Sequence, residues 1–178
     1  MDKKTALSHY LECERMLNTF FEEVNYCLPN CISQEKGKMY HEHVGFVRGD
    51  VGCCTFNYHA STHSIIGCLD VLIEERGDSI PTNTEEEIEG VGQPCDYHTS
   101  DGCLLTEYKG PLCLGAICDE QKNYIKGWFG IKYNSDYVIE QLERILNGTT
   151  SSENIIEFKK EILKNIEVVK RVKEYSTK

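Results

Sequence analysis

All ten cysteines except Cys13 lie between residues 27 and 118, and the segments on either side carry apolar residues at helical spacing. Thiols at that density are paired, buried or bound to metal, and which of these holds decides what the chain folds around. Disulfides need an oxidising compartment. The start, Met1-Asp2-Lys3-Lys4, has no apolar run behind its lysines because Glu12, Glu14 and Arg15 interrupt it, so no secretory signal is read. Nor does any stretch approach the roughly 18 apolar residues of a membrane span. The expectation is a cytoplasmic protein with reduced cysteines, in which Asn147-Gly148-Thr149 is a helix-ending turn rather than a glycosylation site. With 178 residues the chain forms one domain, 1–178, large enough to need no disulfide staples. Its 19 basic and 29 acidic residues leave a net charge of −10, which excludes nucleic acid and anionic membrane as general partners.

The two ends read as helix. Tyr10, Cys13, Leu17, Phe20 and Val24 follow a 3-4-3-4 spacing, so a first helix is expected from about residue 4 to about 25. It is broken by Pro29 and Asn30, and residues 1–26 form the N-terminal helical segment. Cys13 lies on its apolar stripe and reads as a small core residue. Val138, Ile139, Leu142, Ile145 and Leu146 mark a second helix, with Asn134 or Ser135 as its cap and Gly148 just past its end. The last helix opens at a capping box, Thr150-x-x-Glu153, and continues through Ile155, Phe158, Ile162, Ile166, Val169 and Val172. Residues 134–178 are therefore expected to form an antiparallel helical pair.

Residues 27–133 form the cysteine-rich region. The apolar run from His63 to Glu75 reads as a buried helix containing Cys68, and Trp128, Phe129, Ile131, Tyr133 and Tyr137 read as core material. The eight acids against one arginine between Asp70 and Glu89 read as solvated surface, or as a docking patch for a basic redox partner protein. No Cys-x-x-Cys occurs, which argues against a thioredoxin-like pair, a zinc ribbon and the bacterial ferredoxin run. The spacings present are Cys27-x3-Cys31, the adjacent Cys53-Cys54, Cys95-x7-Cys103 and Cys113-x4-Cys118. Gly52, Gly102 and Gly115 beside these cysteines would let backbone approach a cluster, while Pro94 and Pro111 stiffen the loops.

The vicinal Cys53-Cys54, followed by Gly102-Cys103-Leu104-Leu105 and by Lys109-Gly110-Pro111-Leu112-Cys113 with Cys118, resembles the broad family of cysteine-rich zinc- or iron-chelating proteins. That family carries a Cys-x-x-Cys-x-x-Cys-Cys signature and later Gly-Cys and Pro-x-x-Cys elements. The resemblance spans residues 53–118 and lacks the closely spaced upstream cysteines. It implies a metal site in which Cys53, Cys54, Cys103, Cys113 and Cys118 are ligands.

Soft thiolates select zinc, Cu(I) or iron–sulfur clusters. The scattered cysteines favour a four-iron four-sulfur (4Fe–4S) cluster, held by Cys53 or Cys54 with Cys103, Cys113 and Cys118, and Cys27, Cys31 and Cys95 are further candidate metal ligands. Zinc is the alternative cofactor: Cys54-x4-His59-x3-His63 offers a Cys₂His₂-type set. The blander reading of His59 and His63, surface exposure near a helix start, is the favoured one, and His41 and His43 read in the same way. The expected architecture is mainly α, a small helical bundle whose cysteine-rich loops enclose a metal site. Three functions follow. The first is an iron–sulfur protein in electron transfer or redox and sulfur chemistry; the second is a zinc-stabilised structural or interaction module without catalysis. The third is an enzyme using a reactive thiol at Cys53 or Cys54. No phosphate-binding glycine loop, nucleophile elbow or His-Glu-x-x-His motif is present.

Overall fold

A computed structural model describes residues 1–27, 29–30, 59, 62–65, 67–77, 95, 97–99 and 102–176. The chain is mainly helical. Helix α1 spans Lys3–Val24 and buries Tyr10, Cys13, Leu17, Phe20 and Val24 on the stripe expected for them. Asp2 caps it by accepting the Thr5 amide, and it ends where Asn25 adopts a left-handed φ of 47°, before Pro29 is reached. Helix α2, Asp70–Arg76, is only the second half of the run expected to be helical from His63. The first half is held instead as an irregular strand of chain. Residues His98–Thr99 (β1) and Gly102–Cys103 (β2) form a two-residue antiparallel ladder, pairing His98 with Cys103 and Thr99 with Gly102.

Four helices complete the chain: α3 (Pro111–Gly115), α4 (Asp119–Phe129), α5 (Ser135–Leu146) and α6 (Ser152–Ser176). Asn134 caps α5 by accepting the Tyr137 amide. The cap of α6 is Ser151, whose hydroxyl accepts the Asn154 amide at 3.2 Å, and not Thr150, whose hydroxyl is buried with no hydrogen-bond partner. Helix α1 packs against both α5 and α6. Its direction follows from the contacts. Glu12 meets Lys159 and Glu23 meets Lys173, so α1 and α6 run parallel. Phe20 and Phe21 lie against Tyr133 just before α5, and the Met1 amine donates to the Gly148 carbonyl just after it, so α1 and α5 run antiparallel. The two C-terminal helices thus have opposite directions and α1 lies along both; Tyr137 of α5 meets Phe158 of α6 edge to face.

The main core gathers Tyr10, Leu17, Phe20, Leu72, Leu114, Ile125, Leu142, Ile145, Phe158 and Val169, each at most 2% exposed. Full burial of such side chains contributes about 1.5–3 kcal/mol apiece. Of the residues expected inside, Phe129 and Ile131 are buried, whereas Trp128 is 61% exposed on α4 and Tyr137 is 36% exposed.

Two buried carboxylates tie the cysteine-rich region to this bundle. Glu143 of α5 is fully buried and accepts the amides of His63, Ser64 and Ile65 together with the Ser64 hydroxyl. The amides of His63, Ser64 and Ile65 thus find their acceptor in a side chain of α5, which holds this stretch against the bundle. Glu14 of α1, also fully buried, accepts the Tyr108 amide at 3.0 Å and the Lys109 amide at 2.8 Å. Burial raises the Glu14 carboxyl above its ordinary range, and the Lys109 and Tyr108 amides pull it back. The fully buried Tyr10 donates its hydroxyl to the Lys109 carbonyl, and the Lys109 ammonium reaches Asn18 at 2.7 Å.

Candidate metal centre

The loop fixed by Glu14 leads directly into a second, smaller core made of Cys95, Tyr97 and Leu105. The Leu104 amide closes it by donating to the Tyr97 carbonyl at 2.8 Å. His59 belongs to the same place. It is 3% exposed, its Nδ1 lies 3.6 Å from Cys95 Sγ, and Tyr97 sets its ring edge to face against the imidazole with centroids 5.0 Å apart. The expectation of a surface His59 is therefore corrected. His63 is exposed as expected, and its backbone, rather than its ring, is engaged by Glu143.

The other cysteines divide by environment. Cys13 and Cys68 are buried and burial pushes each thiol up to about 12, which leaves them protonated at neutral pH and suits the core role read for both. Cys103 is exposed on β2 and donates weakly to the Leu105 carbonyl. Cys113 is half-buried on α3. Cys118 caps α4, its sulfur accepting the Gln121 amide at 3.4 Å, while Cys27, just past α1, donates to the Gln121 side-chain oxygen at 3.3 Å. Gln121, 3% exposed, thus joins two thiols separated by 91 residues of chain. Cys31, Cys53, Cys54, His41 and His43 lie outside the described residues.

Among the described residues, no three His, Cys, Asp or Glu side chains converge as a metal-binding group. The enclosed site expected from cysteine-rich loops is therefore not shown. Gly115 has a different use from the one read for it. A Cβ at that position would stand 2.3 Å from Ile139 Cγ1, so the missing side chain lets α3 lie directly on α5. Pro111 is the first residue of α3 and is buried there, a common place for proline because its missing N–H would be unsatisfied in any case.

Sequence reasoning missed the His59–Cys95 contact because 36 residues separate the two and no local spacing encodes it. The carboxylate anchors did carry a signal. Glu14 falls between Tyr10 and Leu17, and Glu143 between Ile139 and Leu146, both at core-facing helical steps. An acid on an apolar stripe needs buried donors.

Beside this small core runs an open groove of about 300 Å³ whose lining includes Glu75, Arg76, Tyr97, Leu105 and Tyr108. No described helix is long and apolar enough to cross a membrane. Comparison with protein-family models, curated proteins and solved structures finds no match to this chain. The likeness to zinc- or iron-chelating proteins accordingly rests on the cysteine pattern alone.

Proposed function

We propose that this chain is a zinc-stabilised structural or interaction module whose centre includes His59 and Cys95. The observation that carries the proposal is the 3.6 Å separation of His59 Nδ1 and Cys95 Sγ in a buried pocket. A tetrahedral zinc, with Zn–S of about 2.3 Å and Zn–N of about 2.05 Å, holds two such ligands roughly 3.5 Å apart. A Rieske-type cluster fits this pair less well, because its two histidines bind one iron and its two cysteines the other. Burial also sets Cys95 itself apart from a reactive thiol, while Cys53 and Cys54, where a reactive thiol was expected, lie outside the described residues. Reactive cysteines sit in partly exposed surroundings, whereas structural zinc sites are closed, and Cys95 is 8% exposed. The remaining ligands are assigned to other cysteines of the region, Cys53 and Cys54 first because they precede His59 by five or six residues.

Anaerobic purification followed by metal and acid-labile sulfide analysis tests the assignment. Stoichiometric zinc without sulfide, lost in Cys95→Ser and His59→Ala, supports it. A brown protein containing iron and sulfide overturns zinc in favour of the 4Fe–4S cluster, and a protein with neither metal overturns both.

A further inference from the structure

A histidine ligand is useful only if its ring is held in one orientation, and the structure supplies a hold on each end of His59. Arg76, in the last turn of α2, folds its side chain back along the helix. Its Nε donates to the Leu72 carbonyl at 3.2 Å and its Nη2 donates to the His59 carbonyl at 2.9 Å. The first bond holds the Arg76 side chain along the helix by a carbonyl one turn back. The second fixes the backbone of His59 from 17 residues away in sequence. The planar guanidinium makes both bonds from one rigid fork, which a lysine cannot reproduce.

Tyr97 acts on the other end. Its ring is 5% exposed and meets the imidazole at an interplanar angle of 87°, an edge-to-face geometry that aromatic pairs favour. Tyr97 is itself held by the bond from the Leu104 amide to its carbonyl and by burial beside Cys95 and Leu105. With the carbonyl pinned by Arg76 and the ring by Tyr97, the imidazole presents Nδ1 to Cys95 Sγ.

We infer that Arg76 and Tyr97 are positioning residues for the His59–Cys95 metal pair, acting through His59 without contacting the ion. This rests on the zinc assignment above. Partners that hydrogen-bond the second ring nitrogen of a ligating histidine change metal affinity by about 10–100-fold when removed; Arg76 and Tyr97 act on the same ligand through its carbonyl and its ring face.

The experiment compares the full-length wild type with Arg76→Gln, Arg76→Lys, Tyr97→Leu and Tyr97→Phe. Zinc affinity is read by competition with a chromophoric chelator, and site geometry by the visible absorption of cobalt(II)-substituted protein, alongside far-UV circular dichroism. Arg76→Gln and Tyr97→Leu should each bind zinc about 10–100-fold more weakly and shift the cobalt bands. Tyr97→Phe keeps the ring and should match the wild type, and Arg76→Lys should recover only part of the loss. If Tyr97→Leu fails to fold, Arg76→Gln, which lies at the helix end, carries the test. Lower thermal stability with unchanged zinc affinity and cobalt spectrum in the folded variants overturns the positioning role alone. A wild type that takes up neither zinc nor cobalt overturns the zinc assignment and the positioning role with it.

Discussion

Replacing Gly115 by alanine adds one methyl group at the closest approach of α3 to α5. The new Cβ would lie 2.3 Å from Ile139 Cγ1, 3.2 Å from the Ile139 amide nitrogen and 3.3 Å from its Cδ1. Ordinary contact begins near 3.4 Å, so the nearest pair must separate by about 1.1 Å. Ile139 cannot give way cheaply. It is β-branched, has essentially one χ1 rotamer in a helix, and is 3% exposed. Leaving that rotamer costs about 0.5–1.5 kcal/mol, and overpacking in a filled core costs about 1–3 kcal/mol. Against this, alanine gains about 0.5–1 kcal/mol over glycine in backbone entropy. The net expectation for Gly115→Ala is a loss of about 1–2 kcal/mol, which for a chain of this size lowers Tm by roughly 2–8 °C. Thermal and urea unfolding followed by far-UV circular dichroism measure it. The double variant with Ile139→Ala isolates the cause, because the added methyl then occupies vacated space. Its cost should fall short of the summed single costs by about 1 kcal/mol or more. A Gly115→Ala protein as stable as the wild type, or strictly additive costs, would refute the close-approach explanation.

Glu143→Ala removes the acceptor for three loop amides and a hydroxyl. Water can reach part of this exposed loop, so the expected loss is about 2–4 kcal/mol, with new proteolytic cuts at 62–65; an unchanged digestion pattern counts against the anchor. Thiol labelling at pH 8 should modify the exposed Cys103 in the native state. Cys13 and Cys68, with thiols near 12, ionise to about one part in ten thousand at that pH and should label only on unfolding. Rapid native labelling of either by mass spectrometry would contradict their burial. For Glu14, the folded carboxyl titrates above its ordinary value of 4.5, so the folded state holds the proton more tightly than the unfolded chain. Its stabilising contribution is complete below about 4.5 and is lost as pH rises through the folded pKa. The stability of wild type relative to Glu14→Gln should therefore fall as pH rises above about 4.5; a relative stability that rises over that window is the opposite sign.

The helices at the two ends were legible because each buries one face, and a period of 3.6 residues writes that face into the order of residues. Tyr10 to Val24 and Ile155 to Val169 fall on the sides their spacing assigns. The errors are of another kind. The run expected to be helical from His63 becomes helix only at Asp70, and Glu143, 78 to 80 residues away, accepts the amides of His63, Ser64 and Ile65. Gly115 looked like room for a cluster and is room for a neighbouring helix. Ser151 takes the cap from Thr150 because the chain turns one residue later than the capping-box spacing implies. At Glu143 and Gly115 a long-range contact decides what no local preference encodes.

The same reasoning bears on the cysteines. A cysteine carries little periodic information, since a small thiol fits a core, a helix cap or a metal with equal ease, and Cys13, Cys68 and Cys118 show the first two of these places. Cys13 and Cys68 fill the core, while Cys118 caps α4 and is linked through Gln121 to Cys27. Cys95 is set apart by its partner: an imidazole 3.6 Å away, beside the buried Tyr97 and Leu105. Glu14 and Glu143 moor the chain on either side of this place to the large bundle. Metal binding contributes its free energy directly to folding, so on the zinc reading an ion held by His59 and Cys95 would add to what these carboxylates supply. On that reading Cys95 is picked out by what surrounds it, and the vicinal and glycine-flanked spacings carry no trace of that surrounding.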